Sequence, residues 1–364
     1  MPPKTSPEEL SIQLTNMRHE DARSTRPVQF GLLALTLFVM LLLVGCPSGA
    51  NKSSNSNSAT PSSSSSPVTS GYSGFDGQRA FEHVRKQVEF GPRPPGSPEL
   101  EKTREYLIDQ LKSYGLKVST DEFHSVTPVG DRKMVNITAE LPGESPDVII
   151  ISSHYDTKLF KDIKFVGAVD AGSSTGALLE LARVMAAGNR KPKLTYWFVF
   201  FDGEEAFCFN WDECHNPNPA DPKSPLPDNT YGSRRYVAQL IEKKELKRGR
   251  AMILLDMIGY KNLQFGRDDM STRWLVDIVW ETAKHMGHGN EFADRVEGVG
   301  GDDHEPFLRA GIDSLDIIQL GSYEYWHTKD DTLDKVSAKS LQIVGDVLLA
   351  SLPKIEERLA SRGR

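Results

Sequence analysis

The sequence has few cysteines, no cluster of basic residues and no internal repeat. Its net charge is −7, and without a basic cluster it lacks the electrostatic footprint that nucleic acid binding requires, which excludes nucleic acid as a partner. Only Cys46, Cys208 and Cys214 are present, so the chain can close at most one disulfide of its own. In an exported protein Cys208 and Cys214 could pair across a small loop, or both could be free thiols. The sequence leaves both possibilities open.

Charge is absent altogether from residues 30–45, an apolar run that precedes Cys46. Its length lies at the bottom of the range for a spanning helix, roughly 17–25 residues, and is long for the core of a signal peptide. Basic residues occur before the run and few follow it, which predicts that residues 1–29 are cytoplasmic or form a long signal n-region. The motif Leu-Val-Gly-Cys at 43–46 resembles a bacterial lipobox, whose cysteine is lipidated, and an uncleaved signal anchor is the alternative. Either interpretation of 30–46 tethers the remaining chain to a membrane, outside the cytoplasm.

Residues 47–73 are rich in serine, asparagine and proline. Such a segment buries too little apolar surface to offset the entropy lost on ordering, so we expect a flexible linker. From residue 74 to residue 364 the composition is that of a globular domain. A length of about 290 residues is compatible with a single α/β unit.

Within 74–364, strand-like and helix-like patterns alternate. Ser97 and Pro98 are typical of a helix start and Gly115 of its end. We predict strands at about 117–124, 134–140, 147–153, 194–201, 251–256 and 314–319, and further helices at about 173–187, 230–246, 271–287 and 338–360. Near-continuous apolar strands between helices predict a three-layer α/β/α fold with a central, mostly parallel mixed sheet.

The most informative stretch is Trp-Phe-Val-Phe-Phe-Asp-Gly-Glu-Glu-Ala-Phe at 197–207. Its apolar half predicts a buried parallel strand, and ligands bind at the carboxyl ends of such strands. Glu204 and Glu205 repel each other there, so one of them needs a cation or a proton. A divalent metal on one glutamate, with the other kept as a base, would resolve the conflict. Two acids alone would more simply indicate a solvated turn.

Other metal-binding residue types follow apolar runs elsewhere in the domain: His154, Asp170, Asp256 and His327. Each has a simpler interpretation, such as a buried structural histidine for His154 or a helix cap for Asp170. Five such events at strand ends, counting the glutamate pair, make coincidence a poor explanation, because parallel strands bring these ends to one edge of the sheet. Carboxylate and imidazole ligands suit zinc or, less specifically, another divalent ion.

Taken together, these motifs resemble the M28 zinc-aminopeptidase superfamily, and within it most closely the glutaminyl-peptide cyclotransferases, or glutaminyl cyclases. The supporting motifs lie at 91–97, 153–156, 165–170, 200–207, 231–234, 254–259, 302–308 and 326–328. Their order and spacing match the family from about residue 74 to the C-terminus. The resemblance implies the phosphorylase/hydrolase-like fold of zinc exopeptidases. The segment 208–230 departs from the cyclase pattern, which leaves the rim of the pocket undetermined.

The resemblance also implies a metal centre and its catalytic group. Asp170, Glu205 and His327 would hold one zinc ion, an arrangement of three protein ligands with an open position. Glu204, beside a ligand but not itself one, would be the general acid/base.

The same resemblance implies roles for further residues. Asp256 and Asp302 match catalytic acids that form a hydrogen-bonded network near the metal. Trp326 looks like a wall of the substrate pocket, and Trp211 matches another wall only with a one-residue insertion.

The expected function is therefore zinc-dependent conversion of N-terminal glutamine, in peptides or proteins, to pyroglutamate. The main alternative is an M28 aminopeptidase that uses two metals, because His154 and Asp256 match second-metal ligands in the peptidases. A binding module that kept the fold without the activity is a third interpretation, which the intact Glu204 and the full ligand set argue against. The oligomeric state is open, with a monomer favoured.

Overall fold

A central sheet organises the described part of the chain, which in this computed structural model comprises residues 72, 74–208, 216–221 and 223–362. The strands described are β1 (Lys117–Thr127), β2 (Gly130–Leu141), β3 (Ser145–His154), β4 (Leu194–Phe201), β5 (Gly249–Asp256), β6 (Phe265–Asp268), β7 (Phe292–Glu297) and β8 (Ser314–Ile318). Six of them form one sheet in the spatial order β1-β2-β4-β3-β5-β8. Strands β4, β3, β5 and β8 run parallel, and the antiparallel hairpin β1–β2 is added at the β4 edge. The expected mixed, mostly parallel sheet is confirmed.

Helices cover both faces of this sheet. They are α1 (Gly77–Phe90), α2 (Pro98–Ser113), α3 (Ser174–Ala187), α4 (Tyr231–Glu242), α5 (Arg273–His285), α6 (Glu305–Arg309) and α7 (Ala338–Ser361). Successive side chains of a strand point to opposite faces, and β4 shows the consequence. Phe198 and Phe200 belong to the larger apolar core under α1, α2, α3, α5 and α7, whereas Val199 and Phe201 belong to the smaller core under α4 and α6. Because both faces are buried, β4 is apolar at almost every position.

The start of α2 illustrates how local sequence sets an element. The Ser97 hydroxyl accepts a hydrogen bond from the Leu100 amide at 3.1 Å, and Pro98 occupies the first turn, where its missing N–H costs nothing. Gly115 follows the helix with φ +79°, a left-handed conformation that glycine adopts without strain. Both signals were predicted from the sequence.

Some elements were not predicted. Helices α1 and α6 were missed, and so were β6 and β7, which pair with each other in a separate two-stranded sheet. The predicted helix at 230–246 ends at Glu242, and a 3₁₀ turn at Leu246–Arg248 follows it.

Several sequence-based predictions fall outside the described residues: the segments 1–29 and 30–46, nearly all of the linker 47–73, and Trp211 and Cys214. Among the residues that are described, no helix combines the length and apolarity needed to cross a membrane.

Candidate metal centre

The first side chains of the site lie at the ends of three neighbouring parallel strands. Strand β3 ends at His154, β5 ends at Asp256, and β4 ends at Phe201, just before the loop with Glu204 and Glu205. These strands lie side by side in the order β4-β3-β5, so their carboxyl ends share one edge of the sheet. The structure therefore brings these four side chains to the edge at which the sequence predicts them.

Asp170 reaches the same place by a different route. The run 165–169, predicted to be the end of a strand, is not a strand. Asp170 lies in the irregular segment Ala168–Ser173, which leads into α3. Gly167 begins this turn with φ +50°, and a Cβ there would lie 1.9 Å from the Asp170 carbonyl oxygen. Only glycine allows so close an approach, so the sequence Val-Gly-Ala-Val-Asp forms a tight turn that points the Asp170 carboxylate towards the strand ends.

The three predicted metal ligands lie together. His327 Nε2 is 3.1 Å from Glu205 Oε2 and 3.4 Å from Asp170 Oδ2. A tetrahedral zinc ion with bonds of about 2.0–2.1 Å separates its ligand atoms by about 3.3–3.4 Å, so these spacings and donor types fit zinc. His327 lies in the loop after β8 and has φ +54°, a backbone conformation that is rare for residues with a Cβ.

The charges of this cluster also call for a cation. Burial lowers the pKa of His327, but the neighbouring Glu205 and Asp170 raise it to about 9. Burial raises the pKa of Asp170, yet hydrogen bonds with His154 and His327 bring it below its ordinary value. The Asp170 carboxylate is therefore favoured in its ionised form by the positive charge beside it, and a divalent ion would supply such charge more strongly.

A second group of possible ligands adjoins the first through Asp170. His154 Nε2 is 3.3 Å from Asp170 Oδ1 and 3.2 Å from Asp256 Oδ1. Asp170 thus presents one oxygen to each histidine. Burial opposes charge on His154, but Asp256, Asp156 and Asp170 raise its pKa well above the usual range. Either a proton on His154 or a second ion would offset the negative charge here.

The predicted acid/base Glu204 and the predicted network residues Asp256 and Asp302 influence one another electrostatically. Burial raises the pKa of Glu204 well above its ordinary value, and the nearby negative charge of Asp302 raises it further. Burial also raises the pKa of Asp256 to about 7, although His154 opposes this effect. A raised pKa makes the ionised carboxylate a stronger base, which suits a group that must accept a proton and return it.

Aromatic rings surround the His327 side of the site. Trp326 stacks on the His327 ring with centroids 4.1 Å apart and an interplanar angle of 22°, and 38% of Trp326 is exposed. Phe160 and Phe165 meet the same imidazole edge-on at 6.0 and 5.8 Å. A half-open aromatic face beside the predicted metal ligands is consistent with a pocket wall at Trp326.

The segment after Glu205 carries the one cysteine that is described. Cys208 is disulfide-bonded, which excludes the free-thiol alternative for this residue. The other two cysteines of the chain lie outside the described residues.

Two buried charged residues near the site were not assigned a role from the sequence. The Asp156 carboxylate accepts hydrogen bonds from the backbone amides of Glu204 and Glu205, at 3.1 and 3.3 Å. Lys158 Nζ donates to the Ala206 carbonyl oxygen at 2.7 Å and lies 3.9 Å from Glu205 Oε2. Both side chains hold the loop that presents the glutamate pair. Asp156 lies two residues after His154 in the same motif, and that proximity was the only available signal.

Comparisons with known proteins identify the family. The model of peptidase family M28 matches residues 136–352. A glutaminyl cyclase from an Acidobacteriales bacterium is 35% identical, with a TM-score of 0.70 over 83% of this chain and 100% of that one. The glutaminyl-peptide cyclotransferase of Bos taurus is 29% identical over 70% of this chain and 76% of its own length. A leucine aminopeptidase precursor from Bacteroides thetaiotaomicron is 29% identical, with a TM-score of 0.67 over 77% of this chain and 98% of that one.

Proposed function

Because the chain belongs to peptidase family M28, and within it to the glutaminyl cyclases, we propose that it converts the N-terminal glutamine of peptides or proteins to pyroglutamate and releases ammonia. The observation that carries the proposal is the cluster of the buried Asp170 and Glu205 with the partly buried His327, next to Glu204 in sequence. Three protein ligands leave one position open for a substrate oxygen.

Asp170, Glu205 and His327 would hold one zinc ion. When bound, zinc supplies a Lewis acid that polarises the γ-carbonyl of the substrate glutamine. Glu204 lies in the loop after β4, where the Asp156 carboxylate accepts a hydrogen bond from its backbone amide. As the neighbour of Glu205 in this loop, Glu204 would carry the proton without being a metal ligand.

The reaction needs one bond to form and one to break. The α-amine nitrogen of the substrate attacks its own γ-carbonyl carbon, and the bond from that carbon to the amide nitrogen breaks. Glu204 takes the proton from the attacking amine and gives it to the leaving nitrogen, which departs as ammonia. Trp326 would exclude water and hold the glutamine side chain bent, so that the α-amine is positioned next to the γ-carbonyl carbon.

An assay with two substrates tests the proposal. The purified protein is offered a peptide with N-terminal glutamine and, separately, a leucine arylamide. We expect the glutamine peptide to lose ammonia, detected by mass spectrometry, while the arylamide stays intact. Removal of the first residue from either substrate would contradict a cyclase.

The second candidate function is an aminopeptidase that uses two ions and a water nucleophile. It is favoured by the shared carboxylate of Asp170, since His154, Asp170 and Asp256 form a second group of possible ligands. Metal analysis separates the two functions: one ion per chain is expected for the cyclase, and two tightly bound ions that are both needed for activity would favour the peptidase.

A further inference from the structure

Asp331 joins two of the three segments that carry the predicted metal ligands. It follows His327 by four residues and is completely buried. Its Oδ1 accepts hydrogen bonds from the Val169 amide at 2.8 Å and the Tyr323 hydroxyl at 2.7 Å. Its Oδ2 accepts from the amide of Asp170 at 3.1 Å. One carboxylate therefore ties the backbone of Asp170 to the loop of His327.

The Asp170 turn depends on such contacts because its backbone is irregular. Asp170 has φ −104° and ψ 101°, outside the helical region, and the turn lies outside the sheet. Buried amides must be paired, and in this turn a side chain pairs two of them. At the start of the turn, the buried Arg93 donates to the carbonyl oxygens of Val166 at 2.8 Å and Gly167 at 3.2 Å. A guanidinium and a carboxylate thus both hold the backbone of the turn.

We propose that Asp331 is a positioning residue of the metal centre, which holds the Asp170 carboxylate at the distance from His327 that the ion requires. The inference rests on the zinc centre proposed above. Asp170 and Glu205 are both acids, so a site that holds them together for an ion is helped by backbones that keep their positions. Asp331 pre-organises one of these backbones, so the ion does not have to order the turn when it binds.

The matched pair Asp331→Asn and Asp330→Asn tests the inference in the full-length chain. Asparagine keeps the shape of Asp331 but turns one acceptor into a donor, which then faces an amide N–H or the tyrosine hydroxyl. Asp330 is the adjacent aspartate, has a half-exposed side chain and pairs with Lys329. Zinc affinity is measured by competition with a chromogenic chelator, and the thermal unfolding of the zinc-free protein is recorded alongside. We expect Asp331→Asn to weaken zinc binding by about 10–100-fold and Asp330→Asn to leave it unchanged.

Equal zinc affinity in Asp331→Asn and the wild-type chain would overturn the inference. A lower unfolding temperature of the zinc-free variant would not rescue it, because a residue that only stabilises the fold would lower that temperature without changing zinc affinity. If Asp331→Asn does not fold, Tyr323→Phe takes its place, since it removes one donor to Oδ1 and keeps the carboxylate. A smaller loss of zinc affinity is then expected, and no loss would overturn the inference. Failure of the wild-type chain to bind zinc would instead refute the proposed function, and this inference with it.

Discussion

Asp170 presents its two carboxylate oxygens to two different histidines, His154 and His327, at 3.3 and 3.4 Å. On the His327 side, Glu205 adds a second carboxylate, so a divalent ion is the natural counter-charge. On the His154 side, Asp256 is the second carboxylate, and either a proton on the imidazole or a second ion would offset part of the negative charge. The two histidines therefore have similar surroundings, and the number of bound ions has to be measured.

Glu204 and Glu205 are adjacent, and we expect opposite effects when each is replaced by glutamine. Glu204→Gln should keep zinc and lower turnover by about 10²–10⁴-fold, because glutamine has nearly the same shape but carries no exchangeable acid proton. Glu205→Gln should lose zinc, because it removes one of three protein ligands, and activity should return in excess zinc. Turnover with the glutamine peptide and metal content are measured for both variants.

Each of these two variants serves as the control for the other, since they differ by one position in the same loop. Metal lost from Glu204→Gln and retained by Glu205→Gln would reverse the assigned roles. If neither change alters turnover or metal content, the two acids take no part in catalysis or metal binding.

The residues at the strand ends could be predicted from the sequence because a parallel sheet brings the ends of its strands to one edge. That reasoning found His154, Asp256 and the glutamate pair. It could not find Asp156 or Asp331, because both act through backbone amides, and no residue pattern records which amide a side chain contacts. Asp302 was found only through the family resemblance, and Trp211 remains a prediction outside the described residues.

At the scale of elements, the turn from Gly167 to α3 is the most demanding part of the site. Gly167 and Gly115 both have positive φ, but a Cβ at Gly167 would lie 1.9 Å from the Asp170 carbonyl oxygen, whereas one at Gly115 meets nothing within 4 Å. We expect Gly115→Ala to lower the free energy of unfolding by about 1–2 kcal/mol and to leave zinc affinity unchanged. Gly167→Ala should lower both, because the turn must shift to relieve the overlap.

Chemical denaturation and chelator competition on the two alanine variants measure these effects. Equal losses of stability, with zinc affinity intact in both, would show that the overlap relaxes without moving Asp170.

Long, strongly patterned elements such as β4 and α7 could be predicted, and short or polar ones could not. The buried stripe of α1 contains His83 and Gln87 beside Ala80 and Val84, so only one of these four buried positions holds a large apolar residue. Strands β6 and β7 are four and six residues long, and they pair across intervening residues that include α5. Tertiary contacts rather than local propensity define such elements.

At the scale of the whole molecule, the sequence contains one feature that the described domain does not explain. The apolar run at 30–45 ends at Cys46, and both lie outside the described residues. The family match concerns residues 136–352, so it bears on the domain and not on this run. The predicted membrane anchor therefore has to be tested separately from what the domain catalyses.

Deletion of residues 30–46 should abolish membrane association, because the charge-free run and Cys46 are the only anchor that the sequence predicts. Cys46→Ser distinguishes the two forms of that anchor. A lipidated cysteine would lose its acyl chains, each CH₂ of which contributes about 0.8 kcal/mol of membrane affinity, so the variant should be released or mislocalised. An uncleaved helix would keep the variant in the membrane fraction, since serine leaves the apolar run intact. Fractionation followed by a carbonate wash reports both results, and the glutamine-peptide assay on each fraction shows where the folded domain is. Membrane association that survives the deletion of 30–46 would contradict the anchor in either form.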